Sequence, residues 1–390
     1  MSELYTLPNG WEWKKLGDIS KKIFAGGDKP EIVSEFKTDD LNIPIYANAV
    51  KDNGLYGYSN IYKVDEECIT ISARGTIGFT VVRNEKFLPI VRLIVVIPNE
   101  KVLSKILKYY LDYELVENTG SSIPQLTVPT VKELFFPLPP LEEQKRIAAK
   151  LDILFARIDK AIALHQKNID EVNVFMASVL NDVFVELEEK YKVVKISDIA
   201  HIKGGKRLPK GEKLSEKQTQ YPYIRVADFL DIGTVNLETI QYITEDIHKQ
   251  IKNYIITSND LYISIAGTIG KTGIIPKELD GANLTENAAK LVYKIEDISN
   301  KYIYFLTKSL KFEEQIGLAT KTVAQPKLAL TRLSEVEIPL PPLKTQQKVV
   351  SYLDEISEKM ENIKQIQKEK MQSLKELKAS ILDQAFKGKL

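Results

Sequence analysis

The stretch PLPPLEEQ, residues Pro137 to Gln144, decides the fold, because from Leu141 to Leu187 the chain then continues without another proline or glycine. Proline is tolerated at the start of a helix but not inside one, so a long helix is predicted to begin after Pro140. Its apolar residues recur mostly at alternating steps of three and four, which is typical of a coiled-coil seam. The seam comprises Ile147, Leu151, Leu154, Ile158, Ile162, Ile169, Val172, Met176, Val179 and Val183. At 1.5 Å per residue this helix would be about 70 Å long, so it needs a partner along its length.

A second copy of the proline string supplies a partner. PLPPLKTQ, residues Pro339 to Gln346, precedes another helical pattern that continues almost to Leu390. Its apolar positions are Val350, Leu353, Ile356, Met360, Ile363, Ile366, Leu374, Leu377 and Ile381. The chain therefore alternates a globular part with a long helix, and does so twice.

The two globular parts alternate short β-rich runs with glycine turns. In the first we predict strands at 42–50, 68–72, 79–82 and 90–97 and a helix at 102–118. In the second we predict strands at 221–228, 261–265 and 289–295 and a helix at 303–316. These are mixed domains with little room for a parallel βαβ array.

Motif matches show that the second half repeats the first. KLGDI, which begins at Lys15, corresponds to KISDI at Lys195, and ISARGTIG at Ile71 corresponds to ISIAGTIG at Ile263. The helix ends also match, since ASVLNDVF at Ala177 corresponds to ASILDQAF at Ala379. The helices hold one offset whereas the domains drift, which indicates a rigid spacer presenting two divergent recognition modules. Two generic domains with linker helices remain the alternative.

Composition leaves the partner open. Lys+Arg 54 against Asp+Glu 53 gives a net charge of +1, so any electrostatic reasoning must be local. The single cysteine, Cys68, cannot form an intramolecular disulfide, and no secretory leader is apparent, so a cytoplasmic protein is expected. The most apolar run, 88–98, is too short to span a bilayer, and no membrane segment is predicted.

No motif predicts catalysis, a metal or a cofactor. GTIGKT, residues Gly267 to Thr272, resembles the end of a phosphate-binding loop, but Ile265 stands where the first glycine is required. The histidines lie far apart in the sequence with no cluster of ligands around them. The glycines instead predict a tight turn that lies close to another backbone or to DNA phosphate, with a plain β-turn as the alternative.

Local charge and polar loops predict contacts with DNA. We interpret residues 201–217 as a flexible basic loop without an apolar anchor, suited to phosphate contact, although an ordinary solvated loop has the same appearance. Its leading cations are Lys203, Lys206 and Arg207, and Lys14, Lys15, Lys21, Lys22 and Lys29 form a weaker counterpart in the first domain. Base reading needs Arg, Lys, Asn or Gln on a scaffold. The candidates, with the threonine of the glycine turn, are Arg74, Thr76, Ser121, Ser122 and Gln125 in the first domain and Arg225, Lys271, Lys321, Thr322 and Gln325 in the second.

With these motifs the whole chain resembles the DNA specificity subunit of type I restriction-modification systems. The resemblance is carried by the two PLPPL strings, the two matching helix ends, the paired GTIG turns and the C-terminal AFKGKL, which ends at Leu390. It implies an α+β fold with two pseudo-symmetric mixed target-recognition domains and two long helices packed as an antiparallel coiled coil. The implied divisions are 1–136 and 189–338 for the recognition domains and 137–188 and 339–390 for the helical spacers.

The resemblance also implies a non-catalytic subunit that recognises a bipartite target in double-stranded DNA. Two methyltransferase subunits would dock on the helices and carry the S-adenosylmethionine site, and restriction subunits would join them. The two proline strings differ, since Glu142 and Glu143 correspond to Lys344 and Thr345, so equivalent partner contacts are not assured. A coiled-coil adaptor that never touches DNA is the alternative. A chain that is itself a methyltransferase is disfavoured by the missing cofactor loop.

Overall fold

A computed structural model describes residues 4–117, 125–320 and 327–390. The chain divides into two compact units, residues 1–166 with 368–390 and residues 167–367. Each unit therefore contains one globular domain, one half of the first long helix and one half of the second. The bounds of the units fall inside the two helices and not at the proline strings.

Unit 1 begins with the first domain and includes the start of the first long helix. Its strands are β1 (Glu12–Lys15), β2 (Ser20–Ala25), β3 (Ile43–Tyr46), β4 (Leu55–Ser59), β5 (Cys68–Ile71), β6 (Thr80–Arg83), β7 (Leu88–Pro89), β8 (Ile94–Pro98) and β9 (Phe135–Leu138). Its helices are α1 (Ser104–Glu117), α2 (Val128–Lys132) and the first half of α3 (Leu141–Lys190). The strands form an antiparallel sheet of order β2-β8-β5-β6, a mixed sheet of order β4-β3-β7 and the pair β1-β9.

Unit 2 repeats this plan with additions. Its strands are β10 (Val193–Lys195), β11 (Ala200–Gly204), β12 (Tyr221–Ile224), β13 (Gln241–Ile243), β14 (Ile255–Ile256), β15 (Leu261–Ser264), β16 (Thr272–Ile274), β17 (Ala282–Leu284), β18 (Ala288–Tyr293) and β19 (Glu337–Pro339). Its helices are α4 (Ile196–Ile199), α5 (Glu245–Ile251), α6 (Asn300–Leu306), α7 (Leu310–Thr320), α8 (Leu330–Ser334) and the first half of α9 (Leu343–Phe386). The sheet β11-β18-β15-β16 corresponds to β2-β8-β5-β6, the sheet β13-β12-β17-β14 to β4-β3-β7, and the pair β10-β19 to β1-β9.

The two long helices pack antiparallel, as predicted, and contribute to both domain cores. In unit 1 the end of α9 meets the start of α3, where Lys378 pairs with Asp159 and Leu382 joins the core. In unit 2 the end of α3 meets the start of α9, since Leu353 shares a core with Leu180 and Phe184. Their matching ends thus have a packing reason: each helix leaves its own domain and closes the core of the other one.

A buried glutamine fixes each helix to its domain. Gln144, in the first turn of α3, accepts from Leu103 N at 2.9 Å and donates to the carbonyl oxygens of Lys101 and Pro139 at 2.8 and 2.9 Å. Gln346 in α9 makes the same three bonds, accepting from Ser299 N and donating to the oxygens of Asp297 and Pro341. Both side chains are fully buried, so each glutamine supplies hydrogen-bond partners to backbone groups that water does not reach.

Some predicted elements are shorter or broken. The predicted strand 90–97 begins only at Ile94, because Val91 and Arg92 adopt left-handed φ values of 51° and 61° as the chain passes Gly26 and Gly27. Within the predicted strand 42–50, only Ile43–Tyr46 form a strand, β3. The strand predicted at 221–228 ends at Ile224, before a 3-10 turn. The predicted helix 303–316 is two helices, because the chain breaks after Leu306 and α7 begins anew at Leu310.

The predicted seam is also incomplete in the second long helix. Every seam residue named for α3 is buried or half-buried. In α9, however, Ile363, Ile366 and Leu377 remain 37%, 49% and 48% exposed. Within the part of the chain that the structure describes, no helix has the length and apolarity needed to cross a membrane.

Candidate nucleic-acid interface

The two glycine turns have the same backbone in both domains. Gly75 and Gly78 have φ values of +70° and +85°, and the matching Gly267 and Gly270 have +75° and +89°. The second glycine of each turn lies against a helix, since a Cβ on Gly78 would be 3.0 Å from Leu115 and one on Gly270 would be 2.8 Å from Ile316. The first glycine faces open space. The close approach predicted for these glycines is therefore to a helix side chain, at the second position of each turn.

Arg74 and Gln125, predicted separately as base readers, meet beside the first turn. The Arg74 Nε and Nη2 atoms both donate to Gln125 Oε1, at 3.2 and 2.8 Å. Thr76 lies next to them, exposed, and its backbone N donates to Arg74 O at 2.9 Å. Asn48 supports the turn from below, because its Oδ1 accepts from Ala73 N at 2.8 Å while its Nδ2 donates to Val91 O.

The second turn carries different side chains. Ala266 occupies the place of Arg74, and Lys327 pairs with it across an isolated β-bridge where the first domain has Gln125. Lys271 lies at the end of the turn and forms an ion pair with Asp231 at 2.8 Å. The hydrogen bond and charge of Lys271 lower the pKa of that carboxyl. This domain therefore presents two separate lysines, one of them paired with a carboxylate, where the first presents a linked guanidinium and amide.

The basic loop of unit 2 is anchored, contrary to the prediction. Gly205 N donates to Ala288 O and Lys206 N to Leu284 O, at 2.9 and 2.8 Å. A Cβ on Gly205 would be 2.1 Å from Thr285 O, so only glycine permits this close approach. Further along, Leu208 packs partly buried against an apolar cluster that the sequence did not reveal. The anchors hold Lys206 and Arg207 at defined places while both side chains remain exposed.

Both arginines predicted as DNA contacts in unit 2 form ion pairs with carboxylates. The exposed Arg207 donates to Glu286 Oε1 at 2.7 Å, and this hydrogen bond and charge raise the arginine's pKa. Arg225 is held by Asp228, which is 1% exposed, through bonds of 3.2 and 2.8 Å, and it also donates to Thr239 O. Arg225 therefore braces its loop, whereas the Arg207 side chain stays exposed beside its carboxylate partner.

The remaining candidates divide into three groups. Lys203 is exposed on β11, where its backbone pairs with Lys290. Among the lysines of the weaker counterpart, Lys14, Lys15 and Lys21 form ion pairs, and Lys22 and Lys29 lie over aromatic rings. Five predicted residues fall outside the described residues: Ser121, Ser122, Lys321, Thr322 and Gln325.

Two residues of this surface were missed by sequence reasoning. Asn48 supports the Arg74 turn from a loop 25 residues away in sequence, and Glu286 pairs with Arg207 from 79 residues away. Neither has a local signal, because both act through tertiary contacts. Of the histidines, His248 stacks on Tyr221 and bonds Asn283, and across 4–117, 125–320 and 327–390 no group of three potential metal ligands occurs.

The fold defines a duplicated α+β protein built on a pair of long antiparallel helices. Residues 8–174 and 188–370 each match the family described as type I restriction modification DNA specificity domain. These two matches span most of the chain. The chain therefore belongs to this family and carries its domain twice.

The individual relatives are named as type I specificity subunits, but their matches cover different shares of this chain. A Mycoplasma pneumoniae protein named as a type I specificity subunit is 36% identical over 172 residues, which cover 42% of this chain and 51% of that relative. The specificity subunit of the type I restriction enzyme MjaVIII from Methanocaldococcus jannaschii is 22% identical over 98% of this chain and 94% of its own. A solved chain from work on complex assembly and conformational transition of the type I R-M system has a TM-score of 0.75 at 20% identity, and the match covers 99% of this chain and 100% of that one. The last likeness shows the fold.

Proposed function

We propose that this chain is the DNA-recognition subunit of a type I restriction-modification complex and that each globular domain reads one half of a bipartite target. The observation that carries the proposal is the duplication of one domain plan with different polar side chains at matching loops, on a chain that belongs to the specificity family. Two modules reading the same face of a duplex would be spaced by about one helical turn. The chain recognises and does not catalyse.

The long helices would receive two modification subunits, and restriction subunits would join this assembly in the cytoplasm. Large apolar side chains that are exposed on both helices support this role, since exposed apolar surface favours binding of a protein partner. Ile153, Val174 and Tyr352 are 57%, 70% and 51% exposed. The charges at the two helix starts differ, so the two modification subunits would meet different neighbours.

Exchanging a domain tests the modular reading. Residues 189–338 would be replaced by the corresponding domain of another family member, and methylated adenines would be mapped in DNA modified by the assembled complex. One half of the recognised sequence should change and the other half should stay. A change in both halves, or in neither, would contradict the assignment of one half-site to each domain.

Phosphate contact has its own test. Lys206→Ala or Arg207→Ala should weaken binding to all DNA sequences alike, because a phosphate contact carries no sequence information. Affinity of the wild-type complex should fall steeply with salt. A coiled-coil adaptor would show no salt-dependent DNA affinity in the presence of its modification subunit, and that result would favour the alternative function.

A further inference from the structure

The paired Arg74 and Gln125 side chains form a surface that can only donate hydrogen bonds. Both Arg74 bonds end on the same atom, Gln125 Oε1. A guanidinium has donors and no acceptor, so the amide atom that faces it must be the oxygen. With that oxygen engaged, the amide offers outward only the N–H groups of Nε2. Arg74 also keeps the N–H groups that do not bond Gln125, and these too can only donate.

This pairing changes what Gln125 can read. A free glutamine is suited to adenine, because its oxygen accepts from N6 while its nitrogen donates to N7. A glutamine whose oxygen is already bonded to arginine has lost the acceptor that adenine requires. Guanine presents two acceptors, O6 and N7, to the major groove, and therefore suits a pair of donors.

The pair is held in place before any DNA arrives. Ala73, directly before Arg74, is 1% exposed, and its N donates to Asn48 Oδ1 at 2.8 Å. Leu126 N, directly after Gln125, donates to Ala73 O at 3.0 Å and so joins the two chain segments. Side chains mounted on such supports can select a base more sharply than mobile ones.

The charge of Arg74 also remains available. Arg207 and Arg225 each face a carboxylate, whereas the described residues contain no ion pair to Arg74. Residues 118–124, which precede Gln125, contain no aspartate or glutamate. A guanidinium that is exposed, positioned and not paired with a carboxylate of the described residues is suited to the electronegative edge of guanine.

We propose that Arg74 and Gln125 together read a guanine in the half-site of the first domain, and that Arg74 sets this choice by occupying the amide oxygen of Gln125. This inference rests on the proposed function and adds a base to it. The matching place in the second domain holds Ala266 and Lys327, so the same reading is not available there.

The experiment uses the full chain in complex with its modification subunit, and sequences the duplexes it selects from a library of random base pairs. Wild type should prefer guanine over adenine at one position of the first half-site, by roughly 10- to 100-fold. Arg74→Ala frees the amide oxygen and should switch that position to adenine. Gln125→Ala should weaken the guanine preference without creating one for adenine.

Lys327→Ala is the matched control, because it alters the corresponding place in the other domain and should leave the first half-site unchanged. Arg74 is exposed, so its variants should keep the wild-type unfolding midpoint. Specific binding with guanine retained in Arg74→Ala, or with no preference left at the position, overturns the inference and leaves the proposed function standing. Absence of any sequence-specific binding by wild type overturns the proposed function itself.

Discussion

Gln144 and Gln346 make the same three backbone hydrogen bonds in their two units, whereas the places of Arg74 and Gln125 of unit 1 hold Ala266 and Lys327 in unit 2. The first comparison concerns the places where the chain enters a long helix. The second concerns loops that face solvent. A buried polar side chain with every bond fixed tolerates little change. An exposed loop tolerates many substitutions. The two copies are therefore alike at the buried helix starts and differ in the exposed loops, where they would read DNA.

The largest effects should come from the aromatic residues at the two helix ends. Phe386 packs edge-on against Tyr110 at 5.0 Å in unit 1, and Phe184 packs against Tyr302 at 5.7 Å in unit 2. Truncating either ring to alanine leaves a cavity and should cost about 3–5 kcal/mol of the free energy of unfolding. Phe175→Ala is the control, because that ring is 49% exposed in the same helix as Phe184.

Tryptophan fluorescence separates these two variants. The chain has two tryptophans, Trp11 and Trp13, and both lie in unit 1. Phe386→Ala should lower the denaturation midpoint seen by fluorescence, and Phe184→Ala should lower the midpoint seen by circular dichroism while moving fluorescence far less. Equal shifts in fluorescence would show that each helix end does not serve the unit assigned to it.

Next in size are the buried glutamines. Gln144→Ala and Gln346→Ala each leave buried backbone groups without partners and should destabilise the protein by about 2–3 kcal/mol. The two losses should be similar, because the bonds are the same. Gln347→Ala, one residue further along α9 and exposed, should have little effect in the same denaturation experiment. Clearly unequal losses for Gln144 and Gln346 would mean that the two helix starts are not equivalent.

The difference between the two loops that we propose to read DNA can be removed by substitution. Ala266→Arg combined with Lys327→Gln would place the arginine and glutamine of unit 1 at the matching positions of unit 2. The double variant should gain a preference for guanine in the second half-site, of roughly 10-fold, when assayed by selection from random duplexes. Each single variant serves as a control and should not produce the full preference. A change in the first half-site instead would contradict the assignment of loops to half-sites.

The smallest expected effect concerns Glu286, which under the proposed function would compete with DNA phosphate for Arg207. Glu286→Gln should raise affinity for all sequences by about two- to fivefold, as expected for release of one exposed ion pair. The gain should shrink as salt is added. Glu212→Gln removes the same charge from the exposed basic loop without releasing Arg207. If Glu212→Gln raised DNA affinity equally, the gain would come from the change in net charge and not from release of Arg207.

Much of the architecture was predictable, because repeating motifs and helical periodicity are local signals. The start of α3 after Pro140, its antiparallel partner and the duplication are confirmed. The break after Leu306 was missed because the apolar spacing continues through it. The left-handed Val91 and Arg92 were missed because their cause, the passage of Gly26, lies far away in the sequence.

For the candidate interface, composition identified which side chains could contact DNA but not what they are bonded to. Arg225 and Arg74 look alike as residues, yet one braces a loop through the buried Asp228 and the other holds an amide in place. Hydrogen-bond partners distant in sequence decide that difference. A single chain does not encode them in any local pattern.

By itself the sequence determined two long helices, two related domains and the family, because periodicity, proline placement and repeated motifs are properties of neighbouring residues. Only the tertiary structure decided that the stretch beginning PLPPLEEQ carries a helix that starts in one core and finishes in the other. It also decided that the buried Gln144 side chain bonds the backbone at the start of its helix, and that the Gln125 amide oxygen accepts from Arg74. The physical reason is that burial and hydrogen-bond pairing depend on residues brought together from distant parts of the chain.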